Sequence, residues 1–262
     1  MVNISNIEME SGKTSILHSL DGRIKIISSL LIIVYAVYTT NLVILSLMEI
    51  YLLILILMSH ISLSYALKRI ALILPFGGAI ALFQLFIRGG TVIYDLPFGI
   101  EITQQGLDFG LLLLLRIIVC ITAVVLLSSI TPMQDLINSA RKLGVPREFS
   151  MLLSLTLRYL FFFYDELKRI RNAQKTRCFD IRNKKTAYMW RLRKVGETIG
   201  MMFLRSYEQG EKVYFSMLSR GYSDSSNLYA ENKKLNIKDF TFIGITLSVI
   251  IGLEISRYFS II

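Results

Sequence analysis

The run LLLLLRIIVCITAVVLL (111–127) carries a single charged residue. A stretch this apolar has few fates. About 20 mostly apolar residues rising 1.5 Å each cross the roughly 30 Å hydrocarbon core of a bilayer, and there a helix satisfies its own backbone. The runs IIVYAVY (32–38), LLILILM (52–58) and IALILPFGGAIALFQLFI (70–87) repeat the pattern. The chain is 53% hydrophobic, above the roughly 45–50% of soluble domains, and its mean hydropathy is +0.55. These features predict an all-α, polytopic helical membrane protein.

Five spans are predicted, at 24–40, 42–58, 70–87, 107–130 and 239–259, with TTN (39–41) as a tight hairpin between the first two. Residues 1–130 then form an N-terminal membrane domain of four spans, 131–238 a large helical cytoplasmic segment, and 239–262 a C-terminal span. Residues 1–23 lack the apolar core of a signal peptide. Lys13, Arg23, Lys25, Lys68 and Arg69 flank one side of the first three spans, against Arg88 on the other. By the positive-inside rule the N-terminus and 131–238 are expected in the cytoplasm of a prokaryotic plasma membrane.

Charge is concentrated in 131–238, which holds 21 of the 29 Lys and Arg and ten of the 19 Asp and Glu. Helix signals recur there. TPMQ (131–134) predicts Thr131 as N-cap with Pro132 in the first helical position. LGVPRE (143–148) breaks the chain at Gly144 and restarts it at Pro146. The next helix is apolar nearly all round in its first half and charged in its second, DELKRIRNAQKTR (165–177), with Asp165–Arg169 as an expected i,i+4 pair. A third helix is predicted over about 190–220, with Glu208–Lys212 as another such pair. The polar stretch 223–238 reads as a linker into the last span.

Little in the chain points to catalysis. SGKTS (11–15) ends like a phosphate-binding loop, but Ile7 stands where the first glycine belongs and no buried strand precedes it. Cys120 and Cys178 lie in different environments, and with His18 and His60 they make neither a disulfide framework nor a metal site. No cofactor is expected, and if the chain serves active transport, the energy must come from another subunit or an ion gradient. Glu49, Arg116 and Glu254 are charges within predicted spans. Glu49 and Arg116 lie about 10 Å and about 13 Å from the outer ends of their spans, a depth that permits an ion pair.

Two stretches end basic helices with an arginine between small residues: AQKTRCFD (173–180) and SMLSRGYSD (216–224). A guanidinium at a helix end can fork onto a partner's carboxylate as a lysine cannot. An isolated arginine beside a helix C-terminus contributes only about 0.3–1 kcal/mol through the dipole. Two of them on the side where ATP is available favour docking on a partner.

With LDGRIKI (20–26), LGVP (143–146), LRYLFFFYDEL (157–167), AQKTRCF (173–179) and FLRSYEQGEKVYFSMLSRGY (203–222), in this order, the chain resembles the transmembrane coupling component of energy-coupling factor transporters, most closely the cobalt/nickel-type CbiQ branch. The opening motif of that family is Leu-Asp-Pro-Arg-x-Lys, and here Gly22 replaces the proline. The resemblance implies a subunit that is not itself an enzyme. It would couple ATP hydrolysis by two ABC-type ATP-binding subunits to uptake of a micronutrient, cobalt or nickel ion, captured by a separate integral membrane subunit. The family's two Ala-Arg-Gly motifs, which dock the ATPases, correspond to Thr176-Arg177-Cys178 and Ser219-Arg220-Gly221. Three other readings compete. A conventional permease would line its own pathway, and a secondary transporter would show internal repeats. A basic anchor for anionic lipid or nucleic acid would scatter its Lys and Arg; the interleaved Asp165, Glu166, Glu208 and Glu211 favour specific docking, and no nucleic-acid partner is expected.

Overall fold

A computed structural model describes residues 15, 17–59, 61–87, 91–96, 100–179, 187–223 and 236–258. Gly12-Lys13-Thr14 of the loop-like stretch, the flanking Arg88 and most of the 223–238 linker lie outside the described residues. The chain divides into two compact units, Met1–Val145 with Lys233–Ile262, and Pro146–Asn232.

The first unit holds α1 (Gly22–Tyr38), α2 (Leu42–Met58), α3 (Leu63–Ile87), β1 (Val92–Leu96), β2 (Ile100–Thr103), α4 (Gln104–Ile130), α5 (Met133–Lys142) and α8 (Ile237–Tyr258). Side-chain caps start three of the helices. Asp21 accepts from the Arg23 amide at 3.0 Å, Asn41 from Val43 at 3.1 Å, and the Thr103 hydroxyl from Gly106 at 3.2 Å, each satisfying an otherwise orphaned donor. Ala66–Gln84, Gln104–Ile130 and Ile237–Arg257 are long and apolar enough to cross a membrane. The 17-residue α2 is a shorter apolar helix.

The core lies where α1 and α2 pack on α4, around Ile32, Ala36, Leu45, Met48, Leu52, Val119 and Ala123. Their spacings of three, four and seven turn one stripe of each helix inward. The outward residues Leu30, Val34, Leu57, Leu72 and Phe76 are more than half exposed, as expected of surfaces that face lipid.

A polar knot ties the cytoplasmic-side ends predicted for α1, α4 and α8. Buried Lys25 donates from Nζ to the Ile130 carbonyl at 3.2 Å and to the His18 carbonyl at 3.1 Å. Ile130 is the last residue of α4, so this lysine caps a carbonyl that the helix leaves open. Buried Asp239 of α8 accepts from the Asp21 amide at 3.0 Å and from the Asn236 amide at 2.8 Å. Gly22 completes the knot by close approach. A Cβ there would lie 2.3 Å from the Ser139 hydroxyl of α5, so any side chain at position 22 requires Ser139 to move.

Several boundaries differ from expectation. Thr131 is the C-cap of α4 and Pro132 the N-cap of α5, one residue later than TPMQ predicts, with no side-chain capping bond. A proline at the N-cap lacks only an amide that the helix does not need. Helix α5, which the sequence reading groups with 131–238, belongs to the first unit. Helix α3 begins at Leu63 and runs through Pro75. The antiparallel β1–β2 pair, in the register Tyr94↔Ile102 and Leu96↔Ile100, has no counterpart in the sequence reading.

The second unit is a pair of long helices, α6 (Arg147–Thr176) and α7 (Tyr188–Ser219). Their contacts step down one helix and up the other: Met151 with Tyr222, Glu166 with Arg205, Gln174 with Thr198, and Phe179 with Trp190. The pair is therefore antiparallel. At 1.5 Å per residue each helix is about 45 Å long, so their C-terminal ends lie about that far apart.

Candidate functional site

The two arginine-bearing ends share one backbone construction. Helix α6 stops with Arg177 as C-cap, Cys178 at φ +61° and Phe179 following. The Cys178 amide donates to the Lys175 carbonyl at 2.9 Å and the Phe179 amide to the Gln174 carbonyl at 3.0 Å. Helix α7 stops with Arg220 as C-cap, Gly221 at φ +74° and then Tyr222. There the Gly221 amide donates to Leu218 at 2.9 Å and Tyr222 to Met217 at 3.0 Å. Both are Schellman motifs, in which a left-handed residue reverses the chain and satisfies the last carbonyls. The reversal leaves the C-cap side chain projecting from the helix end, and Arg177 and Arg220 are both exposed.

Helix α5 ends in the same way, with the Val145 amide donating to Ala140 at 3.2 Å and Gly144 at φ +111°. Its C-cap is Leu143. The cap alone is thus a general way to stop a helix, and the arginine is what sets the two ends apart. The flanking hydroxyls turn inward: Thr176 donates to the Ala173 carbonyl and Ser219 to the Phe215 carbonyl, each at 2.8 Å. Thr and Ser in place of alanine therefore add little polar surface beside the arginines. Cys178 holds a left-handed conformation that favours glycine, at a cost of about 1 kcal/mol. A Cβ on Gly221 would meet nothing within 4 Å, so glycine is needed there for its backbone angle rather than for space.

Two aromatics that the sequence reading passed over anchor these ends. Phe179, 8% exposed, packs edge-on against Trp190 in the first turn of α7, with centroids 5.1 Å apart. Tyr222 donates its hydroxyl to the Met151 sulfur at 3.0 Å in the first turns of α6. Each helix end is thereby held by the start of the other. The signal was present, since TRCF and SRGY both place an aromatic two residues after the arginine.

Between the ends, Glu166 is the central acid. Its carboxylate, with the side chain 14% exposed, pairs with Arg205 across the helices and with Arg169 at 3.7 Å along its own. The expected Asp165–Arg169 pair is replaced by this one, because position 166 faces α7. Glu208–Lys212 is not among the ion pairs of the described residues. Glu197 pairs with Lys194 and, at 3.5 Å, with Arg193, and the Lys194 hydrogen bond holds its carboxyl below the usual range.

In the first unit Glu49 and Arg116 find separate partners rather than each other. Arg116 donates to the carbonyls of Ala36 and Thr39, at 3.2 and 2.8 Å, and so closes the C-terminus of α1. Glu49 accepts from the Thr122 hydroxyl at 2.9 Å. Among the described residues no group of three or more His, Cys, Asp or Glu is placed to hold a metal.

The CbiQ family, described as cobalt transport protein, matches residues 13–230. The chain belongs to this family. An uncharacterized protein of Methanocaldococcus jannaschii is 31% identical over 237 residues, covering 88% of this chain and 79% of that one. The energy-coupling factor transporter transmembrane proteins EcfT of Streptococcus equi and Streptococcus thermophilus are each 29% identical. The match covers 91% of both chains for the first, and 80% of this chain and 82% of the relative for the second. Membership in CbiQ, together with the apolar helices, makes the chain a membrane protein and a transport subunit.

Proposed function

We propose that the chain is the transmembrane coupling component of an energy-coupling factor transporter that takes up cobalt or nickel ion. The observation that carries the reading is the repeated helix end, a Schellman cap with an exposed arginine at the cap position, at both far ends of one antiparallel helix pair. Arg177 and Arg220 grip two ABC-type ATPases. As ATP binding and hydrolysis bring those subunits together and apart, the rigid pair carries the displacement toward the membrane unit. A separate integral membrane subunit captures the ion and is reoriented by this movement.

The exposed apolar residues of the pair support a second partner. Phe149, Leu152, Phe203, Tyr207 and Phe215 are all more than half exposed, more apolar surface than a solvated helix pair leaves uncovered. This face is the contact for the ion-capturing subunit. Helices α1 and α2, at 17 residues each, join α3, α4 and α8 as five spans of the cell membrane. The N-terminus and residues 131–238 lie in the cytoplasm.

The reading is tested by reconstituting the chain with its ATPases and capture subunit in proteoliposomes. ATP-driven accumulation of cobalt ion is expected with the wild type and its loss with Arg177→Ala combined with Arg220→Ala. Undiminished uptake by that variant would remove the arginines from the mechanism.

A further inference from the structure

The Arg220 end of the helix pair opens into a crevice. An open cavity of about 450 Å³ lies between the first half of α6 and the last turns of α7, and Arg158, Lys212 and Arg220 line it together with Tyr159 and Tyr222. All three cations are exposed, and among the described residues none has a side-chain hydrogen bond or ion pair. No Asp or Glu lines the cavity.

Two clusters elsewhere in the unit pair cations with an acid. Arg169 and Arg205 share Glu166, and Arg193 and Lys194 share Glu197. Glu197 sits in the third turn of α7, two turns on from the Trp190 that Phe179 touches. At the crevice, by contrast, three cations gather round one concavity with no acid among its lining residues. Like charges gathered round one concavity repel, and such a field favours an incoming anion.

We propose that this crevice is a receptor for a carboxylate-bearing segment of the ATPase that docks on Arg220, with Arg158 and Lys212 as further partner-binding residues. The proposal rests on the docking role of Arg220. Arg220 and Gly221 themselves line the crevice, so a segment that engages the arginine enters the same space. Arg158 supplies a second fork-shaped donor from the other helix and Lys212 a point charge, which together can hold two carboxylates or one carboxylate from both sides. The Arg220 end therefore binds through both helices, and its affinity falls with salt.

The test uses the full-length chain in nanodiscs of neutral phosphatidylcholine, with binding of the purified ATPase pair measured at several salt concentrations. Arg158→Gln with Lys212→Gln is expected to weaken binding about tenfold and flatten its salt dependence, and the corresponding double Glu variant to weaken it further. Both positions are exposed, and thermal melting of the variants checks that the fold is kept. Wild-type binding by both double variants, with binding weakened in Arg220→Ala, overturns the crevice while leaving the docking reading intact. Wild-type binding by Arg220→Ala and by Arg177→Ala with Arg220→Ala overturns the docking reading itself. The same titration in phosphatidylglycerol nanodiscs separates a lipid occupant: an effect of the Gln pair seen only there assigns the crevice to an anionic headgroup and overturns the proposal.

Discussion

At the scale of single residues, the position that repays substitution is Cys178. It sits at φ +61°, where its counterpart in α7 is a glycine. Cys178→Gly should stabilise the chain by up to about 1 kcal/mol by removing left-handed strain, less what the freer unfolded chain takes back. Cys178→Val, β-branched at the same angle, should lower the melting temperature. Thermal unfolding in detergent reads both, and a destabilising glycine would contradict the assigned backbone. The arginines were legible in the sequence because their residue type and place after a helical run are local. Their aromatic anchors were not singled out, since the value of Phe179 and Tyr222 depends on a second helix lying antiparallel. The Glu49–Arg116 pairing was inferred from matched depth alone. Depth says nothing of direction round the helix, and Arg116 instead meets the open carbonyls at the end of α1.

Among the elements, the joint where α4 hands over to α5 is held by Lys25. Lys25→Met keeps much of the side-chain length but leaves the buried Ile130 carbonyl without this donor. A loss of about 1–3 kcal/mol in stability is expected, measured by thermal unfolding in detergent. Gly22→Pro restores the family's residue and should lower the melting temperature through its approach to Ser139. Adding Ser139→Ala removes the atom at 2.3 Å and should recover part of the loss. In the helix pair, Glu166→Gln weakens the one carboxylate shared by both helices. Partly exposed Arg205 keeps the expected loss to about 1 kcal/mol. The long helices were readable from apolar runs and from Gly and Pro breaks. The β1–β2 pair escaped because its strands are four and five residues long, too short for periodicity to register. The displaced start of α5 reflects a competition between two ends, since Thr131 is taken as the cap of α4 before it can cap the next helix.

The whole molecule comprises a unit of apolar helices and a helix pair whose two far ends carry the same device. The exposed Cys178 gives a test of sidedness. In oriented membrane vesicles of a Cys120→Ser variant, an impermeant thiol reagent should label Cys178 from the cytoplasmic face only. Labelling from the outer face would reverse the orientation. Membership in the family was legible from ordered motifs spread over most of the chain. The division into units was not, because the assignment of α5 depends on packing against α1 rather than on any composition shift. The central claim is that two capped arginines form a two-point grip on the ATPases, and the most direct measurement is co-purification of those ATPases with the full chain. Each single substitution, Arg177→Ala or Arg220→Ala, should reduce the bound ATPase, and the two together should abolish its recovery while the chain stays folded in the membrane. Full recovery of the ATPases with the doubly substituted chain would contradict the account.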